Sequence, residues 1–562
     1  MTNIVEIVRI GIVEAVKRVL IETKDLGEAG VFINAQVMLE TPRDKEHGDF
    51  STNIAMAIAK SAKKAPRQVA EIIIKSIDIQ STYIDRMEIA GPGFINFYLK
   101  PDWMYDALRA IEKEKENYGK VDLGKGKRVQ VEFVSANPTG PMHIGNARGG
   151  AIGDTLAEVL KWAGYYVERE FYVNDAGNQI DKFGKSLEAR YLKLFNISAE
   201  VPEGGYMGQD ITEHAEEFKK IYGDKYLYSE PDERQRVLKD YALEKNITRM
   251  KKDLEGFGIK FDEWFSEKSL YDNGDIQDTI EYFKKSGNTY ENEDALWFKA
   301  TNYGVEKDEV IVRTNGIPTY FTGDVAYHRN KFVVRKFDKV IDIWGADHHG
   351  HVPRMKGAMA TFGLEPDALE IIIMQLVRLI KNGEVTRMSK RKGQNYTLSD
   401  LVEEVGKDAA RFFFNLRAAS IHFEFDLNLA VEKSNENPVY YVQYAHARIC
   451  SILRQLGEEG VTVPETDSVK FGTLSEDAEF ELIKKLTLLP EEIRLSAKSL
   501  DPSRITKYVL ELAALFHTFY NSCRVKGVSE DLMKARMVVI DCVRIVIKNC
   551  LNILGISAPE RM

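Results

Sequence analysis

The stretch from Arg128 to Val173 constrains the fold more than any other part of the chain. RVQVEFV is a β-rich run, SANPTGPM is a turn, HIGNARGGAIGDTLAEVLKWAGY repeats apolar residues at helical spacing, and YVEREFYVND is a second β-rich run. Strand, loop, helix and strand within about forty-five residues is the opening βαβ unit of a doubly wound nucleotide-binding fold. The predicted class is therefore α/β, with a Rossmann-like, doubly wound parallel-sheet catalytic domain. KVIDIWGAD and EIIIMQLVRL resume the sheet after a polar and helical insertion at 180–305.

One such core does not use up 562 residues; the length suggests about three or four domains. Residues 1–112 read as an N-terminal α+β domain. It has an amphipathic helix to about Glu22, a strand-like VFINAQVMLE, a long helix from about Ser51, and turn and strand in EIAGPGFINFYL. The charged, glycine-containing run up to Lys127 suits a linker. The catalytic domain is assigned to 120–430. From Leu401 strand signals nearly vanish, so 431–562 reads as an all-α helical bundle.

Composition removes several function classes. No stretch approaches about 18 uninterrupted apolar residues, so no membrane span is expected. The N-terminal helix carries Glu6, Arg9, Glu14 and Lys17 where a secretory signal would be uncharged, which predicts a cytoplasmic protein. Cys450, Cys523, Cys542 and Cys550 lie in apolar helical patterns and read as core residues. A net charge of −9 argues against an indiscriminate nucleic-acid coat but leaves a locally basic RNA surface open.

Two loops carry chemistry. In Ser135–Asn146, Pro138 and Pro141 stiffen the turn and Gly145 lets a nucleotide lie against the helix. His143 and Asn146, three apart, offer donors to one triphosphate. A capped helix start with an incidental histidine is the usual account of a lone His, yet the whole turn is unusual for capping alone. In Arg387–Gly393 four cations among seven residues repel one another unless an anion joins them, although a solvated basic loop is the ordinary reading of a charge run. The two segments resemble the HIGH and KMSK signatures of class I aminoacyl-tRNA synthetases, in the right order and roughly 245 residues apart. Asn146 replaces the last histidine and Arg387 the first lysine. The resemblance implies that an amino-acid carboxylate attacks the α-phosphorus of ATP, with His143, Asn146, Lys390 and Mg²⁺ stabilising charge and Arg387 assisting. The tRNA 2′-hydroxyl then attacks the adenylate.

EFVSANPTGPMHIGNAR, IPTYFTGDVAYH, WGADHHGHVPRMK, RMSKRKG, NPVYYVQYAHAR and the final APERM together resemble the arginyl-tRNA synthetase family from end to end. What that implies is specific. Glu132, Ser135, Asn137, Tyr320, Asp324 and His348 would hold L-arginine, with Asp324 and Tyr320 at the guanidinium. Pro138, Gly140, His143, Gly145, Asn146, Asp347, His349, Gln375, Met388, Ser389 and Lys390 would bind ATP. A guanidinium has five donors and a fixed charge, so carboxylates and acceptors suit it. Taken singly, Glu132 could be a strand-end surface acid and Asp324 an N-cap. Asp347, His348, His349 and His351 could suggest a metal site, but adjacent ligands rarely aim at one ion, and none is assigned.

Tyr441, Tyr444 and Arg448 recur on one helical face; a tyrosine stripe in a bundle is more often core, but the resemblance implies that they, with Met562, contact the anticodon of tRNA(Arg). The N-terminal domain would touch the outer corner of the tRNA. The resemblance further implies that activation requires tRNA; a monomer is expected. Nucleotidylyltransferases also carry HxGH-like loops but need neither an MSK loop nor a helical RNA-binding domain. A regulatory RNA-binding relative would be expected to lose His143, Gly145 and Lys390. A glutamyl enzyme would want a cationic pocket, and a cysteinyl one a zinc-bound thiolate set.

Overall fold

Five parallel strands make the central sheet: β1 (Arg128–Glu132), β2 (Tyr166–Val173), β3 (Glu263–Ser266), β4 (Lys339–Gly345) and β5 (Leu369–Met374). Their order is β5-β4-β1-β2-β3. The chain runs outward from β1 in one direction, then returns to β1's other side at β4. That reversal opens a crevice at the carboxyl ends of β1 and β4, where ligands bind in sheets of this kind. The structure, a computed structural model, describes residues 3–26, 36–42, 44–80, 82–386 and 396–562.

β1 is buried on both faces, with Val129, Val131 and the following Phe133 fully enclosed. Helix α1 (Ile144–Trp162) covers it. Its glycines permit the close approach: a Cβ on Gly153 would lie 2.2 Å from Phe133 Cγ, and one on Gly150 2.8 Å from Ile259. The expected insertion is less uniform than its composition suggests. Helices Asn178–Lys193, Gln209–Tyr222 and Pro231–Gly256 enclose a small core of their own, but the chain then contributes β3 to the central sheet. EIIIMQLVRL is likewise two strands, not one. β5 ends at Met374, and Val377–Lys381 joins a separate sheet beside Phe423–Asp426. No helix among the described residues is long and apolar enough to cross a membrane.

In the N-terminal unit the first helix runs Ile4–Glu22 as expected, and Ile84–Ala90 and Phe94–Leu99 form a hairpin. The strand expected over VFINAQVMLE is not found in its described part; only Glu40 pairs, with Ser51. The long helix expected from Ser51 is two, Ile54–Ala62 and Pro66–Ser76. Lys63 takes a left-handed conformation (φ 52°) and Pro66 restarts the helix, since proline suits a first turn. The expected linker is packed: Asp102–Glu114 is helical, Tyr118 is buried, and Val121 and Leu123 donate backbone bonds to Trp162 and Ala163. At the C-terminus, α3 (Pro438–Glu458), α4 (Ser503–Ser522) and α5 (Glu530–Leu554) lead the helical bundle.

Candidate active site

After β1 the chain turns abruptly. Val134 and Ser135 both have positive φ (69° and 39°), and Ser135 N–H donates to Phe133 O, two residues back. A β-branched residue held there is strained, and such strain persists only where surrounding structure imposes it. The turn brings Ser135 onto the wall between two adjoining cavities.

The first cavity, of about 560 Å³, is lined by Glu132, Ser135, Tyr172, Tyr320, Asp324, His348 and His351 among others. The second, of about 490 Å³, is lined by the turn itself, including Asn137, Gly140, His143 and Asn146. Val134, Ser135, Gly345, Asp347 and His348 belong to both. A reactant in each would therefore meet at the ends of β1 and β4. Gln375 and His349 line neither. Gln375 gives its backbone carbonyl to Arg148 and its N–H to Ala419, while His349 is exposed.

At the mouth of the second cavity, His143 caps α1. Its Nδ1 accepts from Gly145 N–H at 3.2 Å, and Asn146 Oδ1 accepts from His143 N–H at 3.0 Å. Capping and ligand binding are thus compatible here. With Nδ1 accepting, the ring proton sits on Nε2, and Asn146 keeps its Nδ2 donors, so both residues retain an N–H at a helix N-terminus. Burial pushes the His143 pKa below its ordinary value, which favours this neutral donor. Gly145 makes room for the histidine itself: a Cβ there would lie 3.2 Å from the imidazole. Asn246 Nδ2 donates to Pro138 O, and Asn137 Nδ2 donates to Gln179, so the helices after β2 brace the turn.

Arg387–Lys390, with Met388 and Ser389, lie outside the described residues. Where the described chain resumes, it is fixed to the first loop: Thr397 forms a backbone bridge with His143, and Leu398 N–H donates to Met142 O. Thr397 then caps the next helix through Asp400.

The first cavity is the more strongly charged. Glu170, Glu132 and Asp342 occupy one row across β2, β1 and β4. Neighbouring strands lie about 4.8 Å apart, so three carboxylates side by side would repel. Apart from Ser135, whose hydroxyl donates to Glu132, the partners that relieve them come from one stretch: helix α2 (Tyr320–Arg329), the π-helical turn Asn330–Val334 after it, and Arg335. Tyr327 donates to Glu170, and Arg335 pairs with Glu170 and with Glu168. Lys331 Nζ reaches Glu132 at 2.6 Å and Asp342 at 2.9 Å, and His328 reaches Asp342 at 2.7 Å. Lys331 and Asp342 are wholly buried. Burial pushes the Glu132 carboxyl up against the pull of Lys331. For Lys331, Asp342 and Glu132 outweigh burial and hold the ammonium charged. Glu132 is therefore no surface acid.

The front of α2 faces the cavity. Asp324 Oδ2 accepts from His351 Nε2 at 2.9 Å, and Tyr320 Oη accepts from Asn174 at 2.6 Å. The cap of this helix is Thr319, not Asp324. Behind them lies Glu267, 4% exposed, with Oε2 unpartnered; burial, then Asp324 and Asp175, raise its carboxyl to about 7. Sequence reasoning missed His351, His328, Lys331 and Glu267. A charged residue in the apolar strand KVIDIW was the one available signal. The imidazoles of the His-rich run diverge, with His348 Nε2 3.6 Å from Asp347 and His351 on Asp324. Among the described residues no group of three or more potential metal ligands converges.

On the bundle, Tyr440 and Tyr444 stack at 5.9 Å, His517 lies 4.6 Å from Tyr441, and Arg448 covers Tyr520 at 3.8 Å. Half-buried rings and a guanidinium at the surface suit stacking on nucleobases. Met562 is exposed at the chain end.

Three family models match the chain. Arginyl tRNA synthetase N terminal domain covers residues 11–99, tRNA synthetases class I (R), catalytic domain covers 107–449, and DALR anticodon binding domain covers 442–562. The arginine–tRNA ligase of Acetivibrio thermocellus is 59% identical over the full length of both chains, and that of Caldanaerobacter subterraneus subsp. tengcongensis 57%, also over both. Thermus thermophilus arginyl-tRNA synthetase shares the fold, with TM-score 0.73 over 99% of this chain and 100% of its own at 20% identity.

Proposed function

The chain belongs to the arginyl-tRNA synthetase family, and from that premise we propose how its crevice carries out the reaction. The enzyme attaches L-arginine to tRNA(Arg) at the expense of ATP. Arginine occupies the acid-walled cavity with its guanidinium at Asp324 and Tyr320, and Glu267 behind them adds negative charge when ionised. ATP occupies the neighbouring cavity with its phosphates at His143, Asn146 and the start of α1. The observation that carries this reading is the shared wall at Ser135, Asp347 and His348, where the arginine carboxylate and the α-phosphorus can meet.

The carboxylate oxygen forms a bond to the α-phosphorus, the bond to the β-phosphate oxygen breaks, and pyrophosphate leaves. No protein nucleophile is needed, so the protein contributes orientation and hydrogen-bond donors for the developing charge. Lys390 adds a cation for the developing charge. The tRNA 2′-hydroxyl then displaces AMP. Mg²⁺ brought with ATP would supply positive charge to the phosphate oxygens, and a cation held by phosphates and water needs few protein ligands. The rings and Arg448 of the bundle would hold the anticodon, and activation would require tRNA. We assign the protein to the cytoplasm, working as a monomer.

Pyrophosphate exchange tests this directly. Exchange should need arginine and rise from near zero on addition of tRNA(Arg), and Lys390→Ala should lower it by about 2.7–4 kcal/mol of transition-state stabilisation, a hundredfold or more. Exchange supported by another amino acid alone, or near-normal exchange by Lys390→Ala, would refute the assignment.

A further inference from the structure

His328 lies between two acceptors. Its Nδ1 is 2.7 Å from the backbone carbonyl of Asp324, and its Nε2 is 2.7 Å from Asp342 Oδ2. A carbonyl has no proton to give. Asp342 has none either: burial opposes its charge, but Lys331 and then His328 hold its carboxyl at about 2. A neutral imidazole has a single N–H, so satisfying both contacts requires protons on both ring nitrogens. Lys331 meets the same carboxylate at 2.9 Å, so Asp342 is shared by the two side chains.

His328 and Lys331, three apart on one helical face, both meet the sheet, the second from the π-helical turn at Asn330–Val334. From this one segment, His328 holds the backbone of Asp324 at one end of the arginine cavity. Lys331 holds the carboxylate of Glu132 at the other, next to the ATP cavity.

We propose that His328 and Lys331 are positioning residues for arginine, clamping both ends of its pocket to the sheet through the shared counter-anion Asp342. The proposal rests on the arginine reading of this cavity given above. Neither side chain need touch substrate, and their effect is to keep Asp324 and Glu132 aimed before arginine arrives.

The test is kinetic and structural. His328→Gln should raise the arginine KM about tenfold or more while the ATP KM moves less than about twofold. In a double-mutant cycle, adding His328→Gln to Asp324→Asn should raise the arginine KM by no more than about threefold, because both act on the same carboxylate. Equal increases in both KM values, an unchanged arginine KM, or full additivity would overturn the proposal. Neutron diffraction of the wild-type enzyme needs no variant to fold: deuterium on both His328 ring nitrogens is expected, and deuterium on one only would overturn it. A wild-type protein that fails arginine-dependent exchange with tRNA present would instead remove the functional reading beneath it.

Discussion

Glu267 is the residue whose protonation should be measurable from outside. Its carboxyl rises from an ordinary value of 4.5 to about 7 in the folded protein, through burial and then through Asp324 and Asp175. An acid whose folded value is raised contributes stability below the unfolded value, and loses it as pH climbs through the folded one. Between about pH 4.5 and 7 the apo-protein should therefore lose roughly 3 kcal/mol to this group. Glu267→Gln should flatten the decline in melting temperature over that window, and parallel curves for the two proteins would contradict the assignment. With the guanidinium beside Asp324 as proposed, arginine should bind more tightly as Glu267 ionises. The same residues mark what sequence could reveal. Glu132, Tyr320 and Asp324 stood beside recognisable motifs. Lys331 pairs with Glu132 across 199 residues of chain, and the two meet only once the sheet is assembled.

At the level of elements, helix α1 is legible as a helix but not as a fitted one. Gly145 reads as room for a nucleotide, whereas Gly153, further along, had no reading and is there because Phe133 fills the place of a side chain. Gly153→Ala should lower unfolding free energy by about 1–3 kcal/mol, seen as a lower denaturant midpoint, because the neighbour must move or the helix must lift. Gly256→Ala is the control: it lies at a helix end with no atom within 4 Å of an added Cβ, and its midpoint should hold or rise. An unchanged midpoint for Gly153→Ala would mean that the contact is soft. The elements misread in sequence share one cause. Ser51 onward and EIIIMQLVRL look continuous because apolar residues recur without pause, but their backbones are committed elsewhere. Lys63 turns left-handed, and Gln375 gives its carbonyl to Arg148 and its N–H to Ala419.

Across the whole molecule, two buried arginines join parts that sequence order keeps apart. Arg148, on α1, donates to the carbonyls of Gln375, Ala418 and Ile421. Arg411 donates to Leu554 O at the end of α5, to Phe257 O, and to Asp154 on α1. The anticodon-side bundle and the helix that His143 caps are thus linked through one guanidinium, with Gly555 leaving it room. The acid row has a further consequence for motion. Lifting the 327–335 segment off the sheet would leave Glu170, Glu132 and Asp342 facing one another without cations, so the segment has no low-energy way to open alone. Its amide hydrogens should exchange with solvent as slowly as those of β1, in one cooperative unit set by global unfolding. Exchange measured by mass spectrometry on the free enzyme would reveal any independent opening as early deuterium uptake there. Substrate entry must then be accommodated by the crevice's other wall, and the wall carrying the acid row stays fixed.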